Sequence, residues 1–414
     1  MGLQSNLNLS VFCAKCRCSM IHEKATGRKD YNEIWKAICL GIQACLFDKP
    51  VDIPLCVEWE NVFIESKKQT ITGIVRRGVK DSISQEIDTE WEQFDFLNLL
   101  AFIKTIDEQA RLTDLLKGAD IPFVILKGTA AAIYYPYPEL RYLGDIDFYV
   151  QPEWFNKARE LLIKNNYVFN QDDDRHLILF KSGIRYEMHH RFSNEPTSIY
   201  VDECIEACMG GLHTGTIRNR SFPILPPLEN GLVLLVHLRQ HMVAGIGLRQ
   251  IIDSMMYVNS VLNDEYWKST FEQHALILGL RKLAISVTRM CQLYLGLSDK
   301  IKWCASADEQ LCNRLMENII QSGNFGSNHD KGTIIEKTFT IFKKKGLFNY
   351  LQEAGEYNWK VYHRCHFLKP FAWIYQIHRY LKQGIDTKRS FLQLMDDYRR
   401  SRERHKLLKD LGCL

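Results

Sequence analysis

The run Ile121-Pro122-Phe123-Val124-Ile125-Leu126-Lys127-Gly128-Thr129, with Arg141-Tyr142-Leu143-Gly144-Asp145-Ile146-Asp147 a dozen residues on, decides how this chain folds. Ile121–Leu126 is a short apolar run rich in β-formers, and Ile146–Val150 is a second one. Between them Ala130–Tyr134 has helical character and is ended by Pro136 and Pro138. Glu153–Asn165 reads as a helix. His176–Phe180 and Ile184–Phe192 read as two strands joined through Lys181-Ser182-Gly183, a hairpin turn. Strands interleaved with helices predict a small α/β unit over residues 119–225, closed by Pro223, Pro226 and Pro227.

On both sides of this unit the apolar period becomes helical. Residues 1–118 form an N-terminal helical region whose first ~30 residues carry little pattern. Ile34, Ile38, Ile42 and Cys45 make one stripe, and Glu90–Lys117 is a long helix with Gly118 at its end. Residues 226–414 form a C-terminal helical region. Its segments include Leu228–Val243, Leu248–Val261, Tyr266–Leu295 and a basic helix over Arg389–Lys409, read as a solvated face. The expected class is α+β: a small mixed sheet flanked by N-terminal helices and a larger C-terminal helical part.

Composition narrows the possibilities. The 414 residues are 46% hydrophobic and 25% charged, which is ordinary for globular protein of two or three domains. Lys plus Arg is 53 against 49 acids, a net charge of +4. That balance speaks against a nucleic-acid coat, and nucleic acid is not an expected partner. Thirteen cysteines, an odd number without regular spacing, point to reduced thiols and a cytoplasmic protein rather than a disulfide framework. Cys13, Cys16 and Cys18 have no second pair at zinc-finger distance. No signal peptide is legible at the N-terminus. Apolar runs such as Phe123–Leu126 and Leu232–Val236 are far shorter than the ~18 residues of a membrane helix, so no membrane association is expected.

The chemistry concentrates on Asp145 and Asp147. Residues i and i+2 on a strand share a face, and two adjacent carboxylates repel unless a cation lies between them. Such a pair suits Mg²⁺ or Mn²⁺. Ile146 points the other way, and Gly144 leaves space for phosphates. Lys127, Gly128 and Thr129 stand at a strand-to-helix junction, where free N–H groups collect anions. Arg141 either clamps a phosphate or pairs with Glu139. Glu187 is the candidate third acid: Arg185, Glu187 and His189 alternate onto one strand face, and a buried acid needs a partner. The alternative for Glu187 is an ion pair with Arg185 or across the sheet.

Leu126-Lys127-Gly128, the Tyr-Pro pairs, Arg141-x-x-Gly144-Asp145-x-Asp147 and Glu187-x-His189 occur in order, and His237-Leu238-Arg239-Gln240-His241 and Leu248-Arg249-Gln250-Ile251-Ile252-Asp253 follow. In this the chain resembles the uncharacterised nucleotidyltransferase family of the DNA polymerase β-like superfamily, over roughly residues 90–300. Two features depart from the pattern: Lys127-Gly128 replaces the usual Gly-Ser pair, and His190 replaces an aromatic residue. The resemblance implies a minimal nucleotidyltransferase sheet with Asp145, Asp147 and Glu187 as catalytic metal ligands and Gly128 in the phosphate loop. It implies Mg²⁺ (or Mn²⁺) as cofactor and an NTP, ATP first, as substrate. It further implies transfer of a nucleoside monophosphate to an acceptor hydroxyl with release of pyrophosphate, Lys127 and Arg141 neutralising the leaving charge. The acceptor, a small molecule or a peptide or protein, is left open.

Other groups have ordinary readings. His237 and His241 have i, i+4 spacing, which suits a ligand pair or plain helix packing, or a helix that roofs the site. Arg249 and Asp253 share that spacing and read as an intrahelical ion pair. Asp172-Asp173-Asp174 reads as a solvated loop. Tyr134, Tyr135 and Tyr137 either stack on a base or pack as core or rim. Two rival functions remain: a non-catalytic nucleotide- or partner-binding protein on the same fold, and a glycosyltransferase using Asp-x-Asp.

Overall fold

A computed structural model describes residues 29–53, 57–172, 176–192, 199–242, 245–322, 347–359, 366–386 and 391–414. Cys13, Cys16, Cys18, Asp173, Asp174 and Arg389 lie outside the described residues. The N-terminal elements are α1 (Lys29–Phe47), α2 (Trp59–Lys68), α3 (Thr72–Val79) and α4 (Gln85–Gly118). The α/β part follows as β1 (Phe123–Leu126), α5 (Gly128–Ala132), β2 (Asp145–Val150), α6 (Pro152–Lys164), β3 (Val168–Asp172), β4 (His176–Lys181), β5 (Ile184–His189), α7 (Ile199–Cys208), β6 (His213–Ile217) and β7 (Arg220–Ile224). Helices continue with α8 (Pro227–Met242), α9 (Leu248–Ser260), α10 (Arg281–Met290), α11 (Glu309–Ser322), α12 (Leu347–Asn358), α13 (Ala372–Asp386) and α14 (Phe391–Asp410). The class is α+β, as the periodicity predicts.

One mixed sheet carries the strands in the order β3-β4-β5-β2-β1-β7-β6. β1 pairs antiparallel with β2, and β2 pairs parallel with β5. Alternation gives the sheet two different faces. Ile146, Phe148, Val150, Tyr186 and Met188 point into a core shared with Phe102, Ile106 and Leu112 of α4 and Leu162 of α6. Val124, Leu126 and Tyr149 point to the opposite face, in a core shared with α1, α3, α8 and α9. The stripe Ile34, Ile38, Ile42 and Cys45 is buried there, as its spacing requires. Helices α1 and α3 approach backbone to backbone at Gly41 and Gly78: a Cβ on Gly78 would stand 2.0 Å from the Gly41 carbonyl oxygen.

Several expectations are corrected. Pro223 lies inside β7, where it opposes Thr214 of β6. The contact of β7 with β1 is the single pair Ile125–Ile224, so little ladder is lost through the missing N–H. Strands β3, β6 and β7 and helix α7 were not legible as separate elements. Tyr266–Leu295 is not one helix, since Gly279 breaks it with φ +68°. Helix α14 is not a solvated rod: Ser401, Arg404, Leu407 and Leu408 are buried, and Arg404 donates to the Ser322 hydroxyl. Arg399 on the same helix is exposed.

Among the described residues no helix is long and apolar enough to cross a membrane.

Candidate active site

Sheet register assembles the acids. Parallel pairing of β2 with β5 sets Asp145 against Arg185, Asp147 against Glu187 and Tyr149 against His189. The hairpin of β4 and β5, turned through Ser182 and Gly183 at positive φ, sets His176 against His189. Period-two alternation therefore points Asp145, Asp147, Glu187, His189 and His176 to one face. Ligand atoms of Asp147, Glu187 and His189 all lie within 4.8 Å of one another. His189 Nε2 is 2.9 Å from Asp147 Oδ1 and 3.6 Å from Glu187 Oε2. His176 Nε2 lies 3.9 Å from the same Glu187 oxygen. Asp145 is half-buried at the start of the strand and stands outside this trio.

Cations answer these charges. Lys127 Nζ is 2.6 Å from Asp147 Oδ1, and Arg185 pairs with Glu187, so the predicted Arg185–Glu187 pair forms alongside the cluster. Burial, reinforced by Asp145, pushes the Asp147 carboxyl up to about 6 against the pull of Lys127. Burial and then Asp147 push Glu187 upward too. Burial pulls the Lys127 ammonium down, but Asp147, Asp145 and Glu187 together outweigh it and hold it charged. Two carboxylates and an imidazole gathered on one buried face form a donor set that suits a divalent cation.

The turn before α5 is unusual. Lys127 has φ +49° and ψ −134°, and Gly128 follows at φ +25°. A lysine in that conformation is strained, a cost met mainly at functional sites. A Cβ on Gly128 would meet only the Asp145 carbonyl oxygen, at 3.7 Å, and one on Gly144 would meet nothing within 4 Å. Both glycines thus leave open space beside the acids. Helix α5 has five residues, too few for a useful helix dipole, so the expected anion site there reduces to single N–H groups. The Thr129 hydroxyl is buried and donates to Gln109 of α4 at 2.6 Å.

Arg141 is the largest correction. Its carboxylate partner is not Glu139. Its Nε and Nη2 donate to the two oxygens of Asp253 at 2.8 Å each, and the Tyr135 hydroxyl donates to the same carboxylate at 2.7 Å. All three side chains are buried, and the network ties the loop before β2 to α9. Asp253 is thus the bidentate partner of Arg141, not the intrahelical partner of Arg249 that the spacing predicts. Arg249 is half-buried, and its Nη1 donates to the Tyr142 carbonyl. The tyrosines have partners within the chain: Tyr134 accepts from Asn230, Tyr135 donates to Asp253, and Tyr137 lies under Arg77 at 3.7 Å. His237 and His241 meet through their Nε2 atoms at 2.7 Å. Burial first, then the positive groups His241, Lys127, Arg249 and Arg141, drive His237 well below its usual range. That helix face therefore feels the charge of Lys127 beside the acid cluster.

Sequence reasoning missed His176, Gln109 and the role of Asp253. The hairpin could have shown His176, because a turn at Ser182-Gly183 fixes its register opposite His189. The described cysteines are free thiols, and burial pushes those such as Cys45 and Cys312 up to about 12, far from nucleophilic range.

A family model described as uncharacterised nucleotidyltransferase matches residues 56–296, which include β1 to β7, α8, α9 and every member of the acid cluster. No curated protein matches the chain.

Proposed function

We propose, since this chain belongs to the uncharacterised nucleotidyltransferase family, that it moves a nucleoside monophosphate from an NTP, ATP first, to a hydroxyl-bearing acceptor. The observation that carries this reading is the convergence of Asp147 and Glu187, directly opposed on parallel strands, with Asp145 on the same face. Asp145, Asp147 and Glu187 are the residues to hold Mg²⁺ or Mn²⁺, with His189 bracing Asp147 from behind. When bound, that cation supplies charge neutralisation at the α-phosphate and acidifies the acceptor hydroxyl.

The chain's own residues supply the rest. Gly128 and Gly144 leave the space through which the triphosphate approaches the acids. Lys127, released from Asp147, follows the negative charge onto the phosphates. Arg249 takes the phosphate role first expected of Arg141, because Arg141 is committed to Asp253. The acceptor oxygen bonds to the α-phosphorus, the bridge to the β-phosphate breaks in line, and pyrophosphate leaves. The hydroxyl proton passes to Glu187, whose burial raises its affinity for it.

A second reading has one observation behind it. The Lys127 ammonium already neutralises Asp147, which suits a non-catalytic nucleotide binder equally well. Pyrophosphate release from mixed NTPs, with a metabolite extract and Mg²⁺, separates the two. Wild type is expected to release pyrophosphate, and Asp147→Asn and Glu187→Gln to lose at least about 100-fold with unchanged circular dichroism. Nucleotide binding without release in wild type overturns the catalytic reading.

A further inference from the structure

Away from the acid cluster lies a cavity of about 580 Å³ between α3, α4 and the turn Pro138–Leu140. It is large enough for a small molecule of drug size. Its walls are polar and mixed in sign, but the signs do not cancel. Arg76 is spent, donating to both oxygens of Asp88 and lying 3.2 Å from Glu92. Arg77 stands over the Tyr137 ring, its guanidinium carbon 3.7 Å from the centroid. Arg77 and Lys80 are the other bases of the wall, and with Arg76 they are outnumbered by the carboxylates Asp48, Asp81, Glu92, Asp95 and Glu139. Asp95 is the notable group. It lines the cavity beside Thr72 and Asn98, and its buried Oδ1 has no hydrogen-bond partner among the described residues. With one oxygen buried and short of a donor, the Asp95 carboxylate is costly to hold ionised, and a cation bound where the side chain lines the cavity offsets that cost.

One residue of the cavity wall belongs to the loop that leads into the acid cluster. Tyr142 lines it and stands three residues before Asp145, so their Cα atoms are at most ~11 Å apart. Arg249 of α9 donates to the Tyr142 carbonyl, linking the cavity wall to that helix. Helices α1 and α3 share their core with Leu126 and Tyr149, so the cavity lies on the side of the sheet that bears the acids.

We propose that this cavity is the acceptor site, and that it takes a small hydroxylated amine, such as an aminated sugar, whose ammonium pairs with Asp95 while a hydroxyl extends past Tyr142 toward Asp145. The assignment rests on the nucleotidyl-transfer reading for its role, though not for its binding. The cationic end answers the excess of carboxylates. The hydroxyl is the group that the transfer consumes. Burial pushes the Asp95 carboxyl up to about 6, against a hydrogen bond from Thr72 and the pull of Arg76.

The test is calorimetric titration of the full chain without NTP or metal, using three probes. The glucosamine trimer carries ammonium and hydroxyl groups, the N-acetylglucosamine trimer keeps the skeleton without the charge, and trilysine keeps the charge without the sugar. Expected is binding of the glucosamine trimer, at least tenfold weaker binding of the acetylated one, and at least tenfold loss in Asp95→Asn. Glu92→Gln, at an exposed wall position, is expected to weaken binding about threefold and serves if Asp95→Asn does not fold. Asp147→Asn is expected to bind the trimer as wild type does. No binding of the glucosamine trimer, equal binding by Asp95→Asn, or tighter binding of trilysine overturns the proposal. If the trimer binds as expected but no protein releases pyrophosphate from NTP, the transfer reading fails and the amine site stands.

Discussion

The ammonium of Lys127 meets the carboxylate of Asp147 at 2.6 Å, beside the register pair Leu126–Asp147 that joins β1 to β2. An internal cation thus stands on a residue proposed to bind a metal. The two charges compete for one carboxylate. Lys127→Met removes the competitor and leaves Asp147, Glu187 and Asp145 mutually repelling. Without metal the variant is expected to lose about 3–5 kcal/mol, the typical cost of breaking a buried pair. Mn²⁺ is expected to bind it more tightly than wild type and to restore the thermal transition, while NTP turnover falls. Manganese titration followed by electron paramagnetic resonance and melting curves reads both. Equal Mn²⁺ affinity in the two proteins would show that Lys127 and the metal do not share Asp147.

Arg141 and Asp253 form a bidentate buried pair with Tyr135, joining the loop before β2 to α9. Asp253→Ala leaves a buried guanidinium without its carboxylate and is expected to cost about 3–5 kcal/mol in urea unfolding. A double variant, Arg141→Met with Asp253→Leu, is expected to recover most of that loss, since an apolar pair of similar volume replaces the ions. If Arg141→Met instead keeps full stability and loses only NTP affinity, the arginine is a phosphate ligand after all.

Helices α1 and α3 are in contact because neither Gly41 nor Gly78 carries a side chain. The obstacle to a Cβ on Gly78 is the Gly41 backbone, which no rotamer change can move aside. Gly78→Ala is therefore expected to cost at least about 3 kcal/mol, the upper range for overpacking. Gly118→Ala is the control: nothing lies within 4 Å of its Cβ, and at the end of α4 it is expected to gain about 0.5–1 kcal/mol. Chemical denaturation of the two variants under one condition makes the comparison.

These cases show what the sequence made legible. Strand alternation, strictly period two, put Asp145 with Asp147 on one face and Glu187 with His189 on another strand's face, while the pairing of β2 with β5 that sets Asp147 against Glu187 came from the resemblance and not from spacing. The α+β class followed from changes of period around residues 119 and 226. The Arg141–Asp253 pair was invisible because 112 positions separate the partners and only packing of α9 over the sheet joins them. The nearer i, i+4 partner Arg249 was the local choice that tertiary structure overrode. Strands β6 and β7 were hidden because polar residues and Pro223 break the apolar signal of two short strands that carry few core residues. The acceptor cavity had no sequence signature at all, since its wall is drawn from α3, α4 and a turn some 60 residues apart in the chain.

Asp95 links stability to that cavity. Its carboxyl has an ordinary value of 3.8 and is pushed up to about 6 in the folded chain, by burial above all, with Asp88 and Glu92 adding and Thr72 and Arg76 opposing. The folded state therefore holds this proton more tightly than the unfolded one. Between about pH 4 and 6 folding stability falls as pH rises, and above 6 the loss is constant. A two-unit difference corresponds to an upper bound of about 3 kcal/mol, less what solvent screening returns. Asp95→Asn removes the ionisable group while keeping its shape. It is expected to match wild type at pH 4 and to exceed it by about 1–2 kcal/mol at pH 7.5, measured by urea unfolding at both values. A gain at neutral pH together with lost amine binding identifies a carboxylate kept for its ligand at the expense of the fold. A loss of stability at pH 7.5 would instead mean that Asp95 holds α3 to α4.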